Sequence, residues 1–284
     1  MTENPTDIPS DVPAGAEESE PAPLTIDQAI ENLQGSDLGL RMYAAWWLGR
    51  FRVSQSDAIQ ALISALEDTE DRTEAGGYPL RRNAARALGK LGDRRAVSPL
   101  VQCLDCTDYY VREAAAQALG ALGDSSCSPH LLNLLQQPGE PETQTDAPMP
   151  QPYDAILEAL GALQATDAAP VVKRFLSHEV DRVRFSAIRA MYQLSSTVEE
   201  AHHYGEMLMQ ALSHPKLQLR RAAMADLGAM GYLKAAEPIA KTLAENSLKL
   251  IALQGILEHH LQTQPNHEIS DEAIAVMTLM DELL

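Results

Sequence analysis

The sequence is short of the residues that favour β-strands. Only 5% of its 284 residues are aromatic, whereas 45% are hydrophobic, and alanine and leucine supply most of the apolar side chains. Alanine and leucine are strong helix formers, while β-branched and aromatic residues favour strands. The composition therefore predicts an all-α fold with ample apolar side chains for a sizeable core.

Positive charge, cysteine and long apolar runs are also scarce. The formal charge of −18 repels nucleic-acid phosphates and anionic membrane surfaces, so neither is expected as a general partner. No apolar run reaches the length of about 18 residues that a membrane span needs, and the first residues lack a secretory signal pattern. Three cysteines do not make a disulfide framework. We expect a cytoplasmic protein.

A signature recurs along the chain. It consists of an Arg, alanine-rich positions three and four residues later, Leu at seven and Gly at eight. Clear copies begin at Arg41, Arg81 and Arg112, and weaker copies begin at Tyr153, Arg184, Arg220 and Lys249. A second apolar-periodic segment precedes each copy, which predicts two helices, A and B, per repeat. Because one pair cannot bury its own apolar face, we predict an α-solenoid of about seven stacked pairs.

The spacing between copies also divides the chain. Longer spacings after the first and third copies indicate insertions between A and B helices, at 69–78 and at the proline-rich segment 137–152. Residues 1–24 contain five prolines and six acidic residues with no basic residue, a composition typical of disorder. We therefore predict a disordered acidic tail over 1–24 and a solenoid over 25–284, with both insertions on one edge.

The helical register separates core from exposed positions in the B helices. Positions +3, +4, +7 and +10 after the signature Arg are apolar and are predicted to be core, and alanines at +6 predict close helix contact. Positions +1, +5 and +9 share the opposite face, which we call the groove stripe and expect to line the concave surface. Its residues are Met42, Trp46, Arg50; Arg82, Arg86, Lys90; Glu113, Gln117, Ala121; Asp154, Glu158, Ala162; Phe185, Arg189, Gln193; and Arg221, Ala225, Ala229.

The groove stripe carries a basic cluster next to an acidic centre. Arg82, Arg86 and Lys90 repel one another at i, i+4 spacing, a cost that implies an anionic ligand or partner. Charges that only keep the surface soluble are the simpler interpretation of each residue alone. Further contact candidates are Glu113, Asp154 and Glu158 in the acidic centre, and the aromatic residues Trp46, Tyr109 and Tyr110 at the groove or its edge.

Two other patterns are interpreted as structural. The signature arginines recur too regularly to recognise one ligand, so we predict that they bond acidic groups and carbonyls in the turns, with Asp108 as a candidate partner of Arg112. A zinc site is suggested by Cys103-x-x-Cys106 and Cys127-x-x-His130, but the repeat register separates the two halves along neighbouring helices. No metal site and no self-contained catalytic motif is predicted.

Three stretches together resemble a known family. They are 41–52, RMYAAWWLGRFR; 71–73, DRT, with 76–89, GGYPLRRNAARALG; and 103–119, CLDCTDYYVREAAAQAL. They are similar to the alpha (E) subunits of E/F-type phycocyanobilin lyases, which are built from phycobilisome-lyase HEAT-like repeats. The resemblance is specific over about residues 25–125 and generic beyond, and it excludes the tail and the proline-rich insertion.

The resemblance implies a heterodimer with a homologous F subunit. Such a pair attaches phycocyanobilin, its substrate, through a thioether bond to a cysteine of the phycocyanin α chain, and no cofactor is implied. Arg82, Arg86 and Lys90 are then expected to hold the propionates, and Trp46 or Tyr109 to stack on the rings. Asp154 and Glu158 are the expected catalytic residues: one of them holds the pyrrole nitrogens, and the carboxylates stabilise the protonated bilin and can donate the proton that the addition requires. A lyase that also isomerises the bilin, a relative that removes it, and a non-enzymatic scaffold for antenna subunits remain alternatives.

Overall fold

The computed structural model describes residues 24–137, 150–263 and 269–284. Within these ranges the chain forms helices, 3₁₀ turns and loops and contains no strand, which confirms the all-α prediction. Residues 1–23 of the predicted tail and residues 138–149 of the predicted proline-rich insertion lie outside the described residues.

The described helices alternate between the two predicted kinds. The A helices are α1 (Ile26–Gln34), α3 (Ser56–Ala65), α5 (Val97–Cys103), α7 (Ser128–Gln136), α9 (Ala169–Val172), α11 (Val198–Met209) and α13 (Ala236–Lys241). The B helices are α2 (Leu38–Arg50), α4 (Pro79–Leu91), α6 (Tyr109–Leu122), α8 (Tyr153–Ala162), α10 (Asp181–Leu194), α12 (Leu217–Met230) and α14 (Asn246–Thr263). A final helix, α15 (Asp271–Asp281), packs on α13 and α14. Each B helix packs on the next, so seven helix pairs stack in chain order.

Glycine ends two of the early B helices. Gly92 and Gly123 adopt φ values of +74° and +67° after α4 and α6, a conformation that residues with a Cβ rarely adopt. Asp93 and Asp124 follow directly and cap the next 3₁₀ turn with their carboxylates. The short Gly-Asp sequence therefore turns the chain from a B helix into the following A helix.

The signature glycine allows neighbouring B helices to touch. A Cβ built on Gly89 would lie 2.8 Å from the Cα of Ala118, so only glycine fits at this contact. The same arrangement joins Gly49 to Ala87, Gly120 to Ala159 and Gly161 to Ala190. This confirms the predicted close contact at the +6 alanines, and it aligns the groove stripes of α2 through α10.

The signature arginines bond to the turns that connect helices. Arg112 donates to the carbonyl oxygens of Cys106 (2.7 Å) and Pro150 (2.8 Å), and thereby joins its own turn to the end of the second insertion. Arg81, Arg184 and Arg220 donate to turn carbonyls in the same way. Arg41 donates to the Leu33 carbonyl in the last turn of α1 and pairs with the Asp68 carboxylate at 2.6 Å. The structural interpretation of this arginine series is confirmed.

The prediction that Asp108 pairs with Arg112 is wrong. It is the N-cap of α6, where Oδ1 accepts from the Tyr110 amide at 2.8 Å. Its other oxygen, Oδ2, accepts from the Tyr78 amide at 2.7 Å. Asp108 therefore ties the first insertion to the start of α6 instead of balancing an arginine.

The apolar core divides at one helix pair. One cluster of buried side chains runs from α1 to α10, and a second runs from α10 to α15. Between α10 and α12 the glycine-alanine contact is missing, because Tyr192 occupies the signature glycine position and Asp226 the +6 alanine position. The buried carboxylate of Asp226 and the partly buried charged groups around it fill this junction.

Candidate functional site

The predicted basic cluster does not form a single pocket. Arg86 and Lys90 line a depression of about 670 Å³ between α4 and α6, together with Arg52 and Gln117. Arg82 lines a different cavity and lies 5.9 Å from the ring centroid of Tyr110. The three cations therefore point to two neighbouring sites, with Arg86 and Lys90 in one and Arg82 in the other.

The cavity that Arg82 lines is made by the first insertion. Thr73, Gly76 and Tyr78 form one wall and Tyr109 and Tyr110 the other, around a volume of about 670 Å³. The loop is ordered by its own bonds, since the Gly77 amide donates to Thr73 Oγ1 at 2.8 Å. The rings of Tyr109 and Tyr110 meet edge to face at 5.5 Å. The insertion thus provides an aromatic pocket at the edge of the groove.

Glu113 and Asp154 form the acidic centre next to this pocket. Burial, followed by the nearby Asp154 carboxylate, raises the pKa of Glu113. Burial and the same carboxylates raise the pKa of Tyr109 to about 12. Arg86 balances Glu113 only weakly, at 4.0 Å. Glu113 therefore retains its proton to a higher pH than an ordinary glutamic acid does.

Asp154 has one carboxylate oxygen that no described protein group bonds. Its Oδ2 lies 3.9 Å from Arg182 Nε. Its Oδ1 is buried and has no hydrogen-bond partner among the described residues. A buried acceptor without a partner costs free energy, and an N–H donor from a ligand would remove that cost.

Glu158, the second acid predicted to hold a ligand, is already occupied by protein groups. Its Oε1 accepts from Arg182 and from Ser186 Oγ at 2.8 Å. Its Oε2 lies 3.4 Å from Arg189. Burial raises the pKa of Glu158, while the two arginines oppose that rise. The structure therefore assigns Glu158 to an internal ion-pair network and leaves the half-buried Asp154 at the edge of that network.

Sequence reasoning missed the other members of the network. Asp226 accepts from Arg182 at 2.7 Å and from Arg189 at 3.1 Å, and its side chain is 2% exposed. Asp226 could have been noticed because it replaces the +6 alanine of its repeat. Arg182 lies two residues before the signature Arg and outside the groove stripe, so its place in the repeat gave no sign that it belongs to the site.

The structure removes one further residue from the groove stripe and shows that another is exposed. Phe185 is buried in the second core cluster and does not line the groove. Trp46 is 47% exposed on α2, beside Tyr43 at 5.6 Å. Because α4 separates α2 from α6, Trp46 and Tyr109 lie roughly 16–20 Å apart by ordinary helix spacing, so these two alternatives would place a bilin ring at different points along the solenoid.

Two of the three cysteines, Cys103 and Cys127, are buried. Burial raises the pKa of Cys103 to about 12 and that of Cys127 to about 11. Cys127 donates its S–H to the carbonyl oxygen of Asp124 at 3.0 Å. In the described part of the chain no group of three or more His, Cys, Asp or Glu residues could hold a metal ion. In that same part no helix is both long and apolar enough to span a membrane.

The family models and the relatives that match this chain agree with one another. Family models for HEAT repeats match residues 74–149, and those for the PBS lyase HEAT-like repeat match residues 40–68. The chain is 60% identical to the phycocyanobilin lyase subunit alpha of Microchaete diplosiphon, over 92% of this chain and 90% of that protein. It is 59% identical to the protein of the same name from Pseudanabaena tenuis, over 92% and 96% of the two chains.

A solved structure is similar over almost the whole chain. It is a chain in the complex of CpcE and CpcF of phycocyanin lyase from Nostoc sp. PCC7120, with 55% sequence identity and a TM-score of 0.83. The match covers 97% of this chain and 100% of that chain. The solenoid described above is therefore the fold of this group of proteins.

Proposed function

Because the chain belongs to the family of phycocyanobilin lyase alpha subunits, we propose that it is one subunit of a heterodimeric bilin lyase. The pair joins phycocyanobilin through a thioether bond to a cysteine of the phycocyanin α chain. The partner is a homologous F-type subunit, phycocyanobilin is the substrate, and no cofactor takes part. The reaction takes place in the cytoplasm.

One observation supports the assignment of the site to the groove. The buried Oδ1 of Asp154 has no partner, and the Asp154 carboxylate interacts electrostatically with the protonatable Glu113, which lies 4.0 Å from Arg86. A bilin carries pyrrole N–H donors and two propionates. Asp154 accepts from the pyrrole N–H groups, while Arg86 and Lys90 pair with the propionates.

The remaining predicted residues have separate roles in this proposal. Arg82, Tyr109 and Tyr110 form the edge pocket, where an aromatic ring stacks one end of the tetrapyrrole. Trp46, which is exposed on α2, is the alternative residue for stacking on a bilin ring, at a different point along the solenoid. Glu158 acts through Arg182, which it holds beside Asp154, and does not touch the bilin.

The chemistry requires addition of a thiol across a double bond. The acceptor thiolate attacks the ethylidene carbon and forms the C–S bond, the π electrons move into the tetrapyrrole, and the ring takes up one proton. Negative charge near the pyrrole nitrogens stabilises the protonated, electrophilic tetrapyrrole. Glu113, whose pKa is raised, is suited to supply the proton. Positioning of the bilin against the cysteine supplies the rest of the rate increase.

The proposal is tested by co-expression of the chain, its F-type partner, the phycocyanin α chain and phycocyanobilin. We expect covalent pigment on the α chain, and none when this chain is omitted. Arg86→Glu with Lys90→Glu should greatly reduce pigmentation, whereas Gln117→Ala, in the same depression, should not. Full pigmentation without this chain would contradict the enzymatic function, and full pigmentation with both charge reversals would contradict the site.

The absorption spectrum of the product separates the related activities. A simple lyase gives the spectrum of attached phycocyanobilin, and a lyase that isomerises the bilin gives a shifted spectrum. A scaffold gives no pigment unless another protein transfers it. We expect the spectrum of attached phycocyanobilin.

A further inference from the structure

The B helices α2, α4, α6 and α8 each end in a residue with a left-handed backbone. After α4 and α6 this residue is glycine, Gly92 or Gly123. After α2 and α8 the equivalent position holds Arg52 and Gln164, with φ values of +51° and +54°. Among the described residues, these are the two other than glycine that have positive φ. Because a Cβ makes this conformation unfavourable, the retention of a side chain here needs a physical reason.

The turn itself does not need either side chain. After α2 the Val53 amide donates to the Leu48 carbonyl at 3.0 Å, and after α8 the Ala165 amide donates to the Leu160 carbonyl at 3.1 Å. Both turns are therefore closed by backbone bonds, in the arrangement where glycine is the usual residue. A glycine at either position would keep the turn and would remove the unfavourable contacts of the Cβ.

The side chains of Arg52 and Gln164 extend in different directions. Gln164 folds back on its own helix, where Nε2 donates to the Gly161 carbonyl at 3.3 Å. Arg52 reaches the next B helix, where its guanidinium donates to the Lys90 carbonyl at 3.4 Å. This bond is long, and it uses one of the five N–H donors of the guanidinium. The remaining donors of the exposed Arg52 side chain are therefore free to bind a ligand beside α4.

Arg52 adds a third positive charge to the depression between α4 and α6. Arg86 and Lys90 line the same depression of about 670 Å³, and Arg86 has only the weak contact of 4.0 Å with Glu113. In the described part of the chain, neither Arg52 nor Lys90 forms an ion pair. Three like charges in one depression repel one another, and an anionic ligand relieves that repulsion. Three cations outnumber a single carboxylate, so the depression suits a ligand that carries two.

We propose that Arg52 is a binding residue for the bilin and that, with Arg86 and Lys90, it selects tetrapyrroles whose two propionates are free acids. This inference rests on the function proposed above, and it adds a residue that the groove stripe does not contain. The planar guanidinium of Arg52 can bind one carboxylate through two parallel N–H bonds, whereas the Lys90 ammonium acts as a point charge. Ligand binding explains why an arginine stands where glycine would fit better.

Titration of the complete heterodimer with phycocyanobilin and with its dimethyl ester measures this selection. The ester keeps the tetrapyrrole and lacks both carboxylates. We expect the wild-type pair to bind the free acid roughly tenfold more tightly than the ester. Arg52→Gln should weaken binding of the free acid by about three- to fivefold and leave binding of the ester unchanged. Arg52→Lys should retain most of the selection.

Two control variants make the comparison specific. Arg174→Gln removes the same charge at an exposed position of another turn, and it should bind both compounds as the wild type does. Arg52→Gly should lose the selection, while its midpoint of urea unfolding stays unchanged or rises, because glycine suits the left-handed backbone. Gln164→Gly makes the equivalent change after α8 and should keep the selection.

Four results would overturn the proposal. One is an equal preference for the free acid in the wild type and in Arg52→Gln. Another is a lower unfolding midpoint with unchanged selection in Arg52→Gly, which is the result expected if Arg52 only caps α4. A third is a heterodimer that dissociates more readily in Arg52→Gln and keeps the wild-type selection, since the carboxylates would then belong to the partner. Failure of the wild-type pair to bind either compound would overturn the proposed function as well, whereas the first three results leave it standing.

Discussion

Replacement of Asp226 by alanine restores the repeat pattern and is expected to destabilise the protein. Alanine occupies this +6 position in four other B helices, so a rule based on the repeat alone predicts a gain or no change. The structure predicts a loss, because Asp226 accepts from Arg182 at 2.7 Å and from Arg189 at 3.1 Å. Its removal leaves the two arginines with Glu158 as their closest carboxylate partner.

The size of the loss follows from burial. Breaking a buried ion pair from one side costs about 3–5 kcal/mol. Here Arg182 and Arg189 retain 34% and 19% of their side-chain exposure, so water compensates in part, and Asp226 no longer has to be desolvated. We expect Asp226→Ala to lower the free energy of unfolding by about 2–3 kcal/mol. Because the core divides at this junction, the C-terminal repeats should also unfold in a separate transition.

Urea unfolding followed by circular dichroism measures both effects. Glu237→Ala is the matched control, since Glu237 pairs with Lys241 at the surface, and its removal should leave the transition unchanged. A stability for Asp226→Ala equal to or above that of the wild type would refute the network argument. A single unchanged transition would refute the division of the core.

Three further predictions follow from other contacts. Gly89→Val should lower the free energy of unfolding by about 1–3 kcal/mol, because a side chain there collides with Ala118; unchanged urea unfolding would contradict the contact. The pKa of Glu113 is raised in the folded state, so the folded state binds more protons than the unfolded state between pH 4.5 and that raised pKa. The free energy of unfolding should therefore fall as the pH rises through this range, and Glu113→Gln should abolish the fall. Thiol labelling followed by mass spectrometry should modify Cys106 before Cys103, whose pKa is about 12; equal labelling rates would contradict the burial of Cys103.

The repeat and its close contacts could be predicted because they are periodic. Each glycine at +8 meets an alanine at +6 of the next helix, so one register fixes several contacts at once. The arginine series was predictable for the same reason. Asp108 was misassigned although its position just before α6 is the usual position of an N-cap. Attention to the helix start would have corrected it.

The candidate site was only partly predictable, because it depends on contacts between distant helices. Asp154 and Glu158 lie on one face of α8, but only the tertiary structure distinguishes them: Arg182 and Arg189 of α10 occupy Glu158 and leave Asp154 Oδ1 without a partner. The groove stripe likewise groups Arg82 with Arg86. It could not show that the inserted loop 69–78 and Arg82 together line a separate pocket.

The account of the groove is tested most directly by the initial rate of covalent pigment attachment in a purified system. The system contains this chain, its F-type partner, phycocyanobilin and the phycocyanin α chain. Asp154→Asn should bind the partner normally, as measured by sedimentation, and should attach pigment far more slowly than the wild type, while Gln117→Ala retains the wild-type rate. A wild-type rate in Asp154→Asn would contradict the assignment of this carboxylate to the bilin.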